Sequence, residues 1–411
     1  MVDKLTPRFE VLADGSPLPD ELVAAIASVV VRQDLVLADT IELSVSSPDL
    51  TVLSASAFDE GKKLQVKLGY VETDLVLVGT GTVARREFRF PERGPASVTV
   101  VAYDKRFALK QATNTRAWTD VKDSDVVSQL VAKAGLSGDV DDSGVKQAYL
   151  LQPAQTDLAF IAERASQLGF HVKLDREGGK LSFKKPKPGD PAKAKLAWGG
   201  ELLSFRPRFA TSGIPGAVTV RGYDMKKKRP VEATATEQDL HSTMGLASSG
   251  AGRASQAHGA RGGFVAGGAT SVEEAKSMAK AAVNAAMPSY ATASGSCRGA
   301  NALDAGCVVE LEGVGVKAGG KYHVTATVHH LGRNGYTTFF ECERPGDSPT
   351  PPPPPASPPP ASKPADAPNQ FQLEVGAASA LRDDVVFEVS EPARAGVEIE
   401  VSEARQAPVK P

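Results

Sequence analysis

Val98-Thr99-Val100-Val101-Ala102-Tyr103-Asp104 returns 120 residues later as Val218-Thr219-Val220-Arg221-Gly222-Tyr223-Asp224. Both copies read Val-Thr-Val-x-x-Tyr-Asp. Both run into cations, Lys105-Arg106 after the first and Lys226-Lys227-Lys228-Arg229 after the second. Val-Thr-Val is strand-forming, because β-branched side chains fit a pleated surface. The small residue before Tyr-Asp marks the exit from the strand. Internal similarity of this kind points to two related β-domains in one chain, although two ordinary strands sharing common residues would give the same match.

The chain around these copies is long enough for two or three domains, with 411 residues, 41% hydrophobic and 23% charged. A net charge of −2 argues against a large nucleic-acid footprint, which needs clustered excess Lys and Arg. The segment Met1 to Arg8 has no apolar core and no cleavage site, so it does not read as a signal peptide. No apolar run approaches the length of a membrane span. Synthesis in the cytoplasm is the default expectation. Cys297, Cys307 and Cys342 are an odd number of cysteines and exclude a complete disulfide framework. Buried small hydrophobes are the preferred reading, with a Cys297–Cys307 pair left open for an oxidising environment.

Working outward, Phe9-Glu10-Val11-Leu12 leads into the tight turn Ala13-Asp14-Gly15. Ile41–Val45, Leu64–Leu68 and Leu75–Val78 alternate as half-buried strands do, and with Val98–Tyr103 they suggest a barrel or sandwich. The period then changes. Asp123 to Gly135 reads as a helix capped by Ser124 or Asp125, and Thr156 to Gly169 as a second helix facing inward with Leu158, Ile161, Ala162, Ala165 and Leu168. Phe170–Leu174 and Lys180–Phe183 form a hairpin, completing an α+β insert between the copies. Strands resume from Glu201. The composition from His241 to Thr270 collapses to Gly, Ala and Ser, too poor in apolar surface to order alone. Ser271-Val272-Glu273-Glu274 is a capping box for a helix ending before Pro288.

The predicted layout is a first β-barrel domain over 1–112, an α+β insert over 113–195, and a second β-barrel domain over 196–345 with a Gly-rich and helical insertion at about 230–300. A Pro-rich linker over 346–368 and a short acidic extension over 369–411 complete it, the linker read as a polyproline spacer and the extension as a β-element or strand donor.

Motifs of chemistry are scarce. Asp139 to Gly144 opens like a calcium loop, but Leu150 stands where a bidentate Glu is required. In a regular strand His323 and His329 share one face and His330 takes the other, without a carboxylate or cysteine pattern for metal. Asp157 and Glu163 read as the solvated face of their helix. Lys226 to Arg229 reads as a solvated turn, or as one facing a negatively charged partner ring. Trp118 and Trp198 read as domain-packing residues. No catalytic, cofactor or metal residues are assigned, and an enzyme is not expected. The residues singled out are structural: Val98, Thr99, Val100, Tyr103, Asp104, Val218, Thr219, Val220, Tyr223 and Asp224.

Taken in order, Lys62-Lys63-Leu64-Gln65-Val66-Lys67-Leu68-Gly69-Tyr70, Leu77-Val78-Gly79-Thr80-Gly81-Thr82-Val83 and Val98 to Asp104 resemble the first barrel of the phage late control protein D family. That family includes contractile-tail baseplate hubs and the N-terminal part of VgrG spikes. Tyr149 to Ile161, with Asp157-Leu158-Ala159-Phe160-Ile161 opening a helix, is similar to the family's central segment. Gly319-Gly320-Lys321-Tyr322-His323-Val324-Thr325 and His329-His330 are similar to the end of its second barrel. Coverage runs from about Phe9 to Arg344. The resemblance implies a homotrimer of two barrels per subunit, a pseudo-sixfold ring joining a hexameric inner tube to a trimeric spike. The implied partners are the inner tube ring, the spike and other baseplate proteins, with no nucleic acid and no membrane insertion. VgrG-type chains continue into an OB-fold and a β-helical needle. A Pro-rich spacer stands there instead, so the spike is expected as a separate polypeptide. A stalked cell-surface or carbohydrate-binding β-protein is the alternative.

Overall fold

Asp14 and Gly15 both adopt positive φ, 50° and 84°, and turn the strand Pro7–Ala13 back onto Ser16–Pro17 as a two-residue hairpin does. The computed structural model that shows this describes residues 6–47, 50–259, 262–266 and 268–347. The chain divides into two units, Met1–Ser357 and Pro358–Pro411, and all described residues belong to the first. The predicted acidic extension and all but the first two residues of the predicted linker lie outside them. Those two, Gly346–Asp347, are not linker: they pair antiparallel with Ser248–Ser249 at the end of the second β-region.

The chain is mainly β, with helices, as expected. One 13-stranded sheet dominates the described residues. Its main path runs Leu202–Phe209, Ala291–Arg298, Gly335–Arg344, Gly320–Gly332, Ile26–Asp34, Thr40–Ser47, Ala96–Tyr103, Val76–Arg89, Lys63–Tyr70, Pro7–Ala13. The alternation seen in the sequence sets its faces. In Thr40–Ser47, Ile41, Leu43 and Val45 are buried while the residues between them are partly exposed. Burying each such side chain contributes about 1.5–3 kcal/mol. The sheet curls tightly: a Cβ on Gly79 would lie 2.9 Å from Val31 Cγ1, and Gln33 Nε2 donates across the interior to the Val78 carbonyl at 3.0 Å.

The two β-regions are not separate. Ile26–Asp34 pairs antiparallel with Gly320–Gly332, Val31 opposite His329, so the first β-region and part of the second share one ladder. The residues predicted as the second barrel also split between two cores. Leu196, Leu202, Cys297, Val309, Leu311, Tyr322, Val324, Phe340 and Cys342 pack on the large sheet. Val218, Val220, Val231, Ala275, Ala279, Val283, Met287 and Tyr290 form another core. That core belongs to a three-stranded sheet in which Ala217–Asp224 pairs antiparallel with Arg229–Thr236 and parallel with Gly262–Ala266.

Part of the Gly-rich stretch, expected not to order alone, is regular where it packs on the rest of the fold. It contains the helix Gly250–His258, capped by the Ser249 hydroxyl, and the strand Gly262–Ala266. Small residues are what its packing requires. A Cβ on Gly250 would lie 2.4 Å from Tyr290 Cβ, and Ala251 and Ala254 are buried. The expected helix after Ser271 is Val272–Ala286, its cap formed by Ser271 Oγ accepting from Glu274 N at 3.1 Å.

The insert has its own core of Val126, Val127, Leu130, Val131, Phe160, Ile161, Leu181 and Phe183. Its first helix is Asp123–Lys133 with Lys122, not Ser124 or Asp125, at the N-cap. Asp123 is buried there in an ion pair with Arg164. The second helix, Asp157–Leu168, starts at Thr156 and ends on Gly169 at φ 67°, both as predicted. Asp157 is not on a solvated face: its carboxylate takes Arg116 Nη1 at 2.7 Å and Gln152 Nε2 at 2.8 Å. Trp118 stacks on Phe160 within the insert, whereas Trp198 is 56% exposed and does not pack a domain junction as predicted.

Candidate functional site

The two motif copies share a local device and differ in their surroundings. In the first, Val98 and Val100 are buried and Tyr103 stacks on Phe107 at 4.6 Å. Thr99 is half-buried beside them. Asp104 Oδ1 accepts from Arg106 N at 2.7 Å, fixing the turn that leaves the strand. In the second, Val218 and Val220 are buried and the Thr219 and Thr234 hydroxyls meet at 2.9 Å. Asp224 Oδ1 accepts from Lys226 N at 3.0 Å and Lys227 N at 2.9 Å. The amides of Lys227 and Lys226 hold its carboxyl below the ordinary aspartate range. The strand Ala96–Tyr103 lies inside the large sheet; Ala217–Asp224 lies in the three-stranded one. The copies therefore do not mark equivalent places in two equivalent barrels. They are one strand-exit device used twice.

The cations beyond each device set the two copies apart. After the first copy Lys105 is exposed but Arg106 turns inward. Arg106 is fully buried; its Nε donates to Asp104 Oδ2 at 2.7 Å and its Nη2 to Asp39 Oδ1 at 2.6 Å. Its Nη1 reaches the Asp34 carbonyl at 3.2 Å and the Val172 carbonyl of the insert at 3.3 Å. One guanidinium thus ties the large sheet, the 34–39 loop and the insert, as its planar fork allows. Burial pushes the Asp39 carboxyl up to about 6; Arg106 pulls it down and Asp104 pushes it up. Asp34 Oδ1 accepts the amides of Val36 and Leu37, and the loop presents both side chains to solvent, 66% and 64% exposed. Sequence reading missed Asp39 and Arg106 as partners, because 67 residues separate them. Arg106, two residues after the Asp of Tyr-Asp, was the available signal.

After the second copy the cations turn outward. Lys226, Lys228 and Arg229 are exposed and make no ion pair among the described residues; Lys227 reaches Asp224 at 3.7 Å. Tyr223 is 48% exposed and Met225 75%. Gly222 is obligatory. The segment at Ala269 crosses so closely that a Cβ would lie 2.0 Å from its carbonyl oxygen, which accepts Tyr223 N at 2.9 Å.

The histidines are arranged differently from the strand expectation. A register shift between Val324 and Ala326 changes the phase of Gly320–Gly332. His323 then pairs with Glu343 and His329 with Thr338, which places the two on opposite faces. His329 is buried with Tyr336 Oη 2.8 Å from its Nδ1. His323 faces the insert, its ring 5.3 Å from His171, and its Nε2 has no hydrogen-bond partner among the described residues. Burial, then the charge of His323, lowers His171 to about 3; burial lowers His323 and His329 each to about 4. Burial raises Glu343 to about 7. Among the described residues no cluster of three His, Cys, Asp or Glu side chains could hold a metal ion. Asp139 and Asp142 are engaged by Lys184, Lys180 and Lys122. Cys297, Cys307 and Cys342 are all free and buried, burial pushing Cys297 up to about 12 and Cys307 to about 11. An open cleft of about 580 Å³ is lined by Tyr290, Arg253, Lys317 and Asp347, but Asp347 already takes Arg253 and the Tyr290 hydroxyl.

A family model described as the Alg8 N-terminal domain matches residues 3–333. The chain belongs to this family. No curated protein matches it. Among solved structures, the 43 kDa tail protein of prophage MuSo2 from Shewanella oneidensis is 12% identical with a TM-score of 0.62, over 83% of this chain and 99% of that one. The tail protein from Neisseria meningitidis MC58 is 14% identical with a TM-score of 0.59, over 82% and 97%. The prophage tail protein gp18 from Listeria monocytogenes EGD-e is 11% identical with a TM-score of 0.51, over 82% and 94%. At such identities the likeness is one of fold: this family member has the fold of phage tail proteins. No helix among the described residues is long and apolar enough to cross a membrane.

Proposed function

We propose that the chain is a structural baseplate hub of a contractile tail or contractile injection particle. It would act as a homotrimeric adaptor between a hexameric inner tube and a trimeric spike, without enzymatic activity, made in the cytoplasm and built into the particle. The observation that carries this reading is the fold likeness over 99% of the 43 kDa tail protein, which leaves almost nothing of that structure unmatched. The large sheet supports it in a second way. Its two halves meet at Ile26–Asp34 and Gly320–Gly332, so each subunit offers two β-regions on one continuous ladder. Three subunits closing a ring would present six. The motif copies themselves add nothing to this count, since the second copy lies in another sheet.

Light scattering of the purified protein over a concentration series tests the reading. A stable mass near three times 43.0 kDa is expected. A monomer at every concentration, with no association when tube and spike proteins are added, would remove it.

A further inference from the structure

We propose that the turn after the second motif copy is a docking tip for an acidic protein surface, with Met225 entering an apolar socket; this rests on the hub reading above. The contrast between the copies carries it. The same Asp-held exit that delivers Arg106 to the carboxylates of Asp104 and Asp39 delivers Lys226, Lys227, Lys228 and Arg229 to solvent. Four successive cations repel one another, and among the described residues Asp224 alone faces them, 3.7 Å from Lys227 and opposite Arg229 in the ladder. An anionic surface outside the molecule relieves that repulsion.

The tip is also preorganised. Its ladder is continuous from Ala217 opposite Thr236 to Asp224 opposite Arg229, and Asp224 holds two amides of the turn. Little ordering is then left for association to impose. Lys228 sits at φ 51°, a conformation that glycine or asparagine adopts more cheaply. Met225 is the most exposed large apolar side chain among the described residues, and methionine adapts readily to an apolar recess. Nucleic acid is a poor fit, because the cations are confined to one turn of a chain with net charge −2.

The test uses the full chain in assembled particles, with a benzophenone side chain in place of Met225. Irradiation is expected to give an adduct with an Asp- and Glu-rich peptide of one neighbouring protein. Lys226→Glu with Lys228→Glu should lower its yield about tenfold or more while leaving the melting temperature unchanged. Incorporation into particles without an adduct, or an adduct with lipid or nucleic acid, overturns the docking tip alone. Absence of the chain from particles overturns the hub reading and the tip with it.

Discussion

Arg106 and Asp39 meet at 2.6 Å although 67 residues separate them, and the guanidinium between Asp39 and Asp104 is fully sealed from water. A buried pair is costly to form but more costly to break, because removing one partner strands the other charge. Arg106→Ala should destabilise the fold by about 3–5 kcal/mol, read from chemical denaturation. Arg106→Lys should not restore it, since an ammonium cannot serve two carboxylates and two carbonyls in one plane. Near-wild-type stability of either variant would contradict the clamp.

Acid should loosen the molecule at its histidines. His171, His323 and His329 have folded values of about 3, 4 and 4, below their unfolded value. The unfolded state therefore binds more protons, and stability is lost as pH falls below about 6.5, at about 1.4 kcal/mol per unit for each group. Glu343, raised to about 7, and Asp39, raised to about 6, act with the opposite sign. Their contribution is present at low pH and fades as pH rises through those values. Between pH 7 and 5 the three histidines outweigh the two carboxyls, so urea midpoints should fall. Glu343→Gln should make the fall steeper; an unchanged slope would mean that this carboxyl does not take up a proton in the fold.

Gly222→Ala should cost about 1–3 kcal/mol, because the new methyl meets the Ala269 carbonyl and neither backbone can yield cheaply. The first copy carries Ala102 at the corresponding place, paired in the ladder with Ile41 and Val83. A melting temperature equal to wild type would show that the crossing segment sits farther away.

The three thiols should be inert in the native protein, buried and with their protons held by burial. A thiol reagent should label none before denaturation and all three after it. Fast labelling of one would place that cysteine outside the core of Leu196, Tyr322 and Phe340.

Much of the architecture was written in local pattern. Ile41, Leu43 and Val45 announce a half-buried strand, and Thr156 with Gly169 brackets a helix, because period and caps are properties of a few neighbouring residues. Features set by distant packing were not legible. One extra residue near Thr325 reverses the faces of the histidines, and nothing in the local alternation marks it. The Gly- and Ala-rich stretch looked unable to order alone, and the partner that orders it was not visible: its small side chains let Gly250 lie against Tyr290. Of the candidate site, the Tyr-Asp exit and its cations were visible; whether those cations turn inward or outward depends on Asp39, far away in the chain.

The ladder that joins Asp34 to Ala326 spans about 290 residues of chain. On a ribosome adding roughly 5–20 residues per second, the strand Ile26–Asp34 waits about 15–60 s for its partner. During that time its edge is a bare template for any other strand, including that of a neighbouring nascent chain. Synthesis of this protein therefore has a vulnerable interval set by the order of its strands, and slower translation would lengthen it.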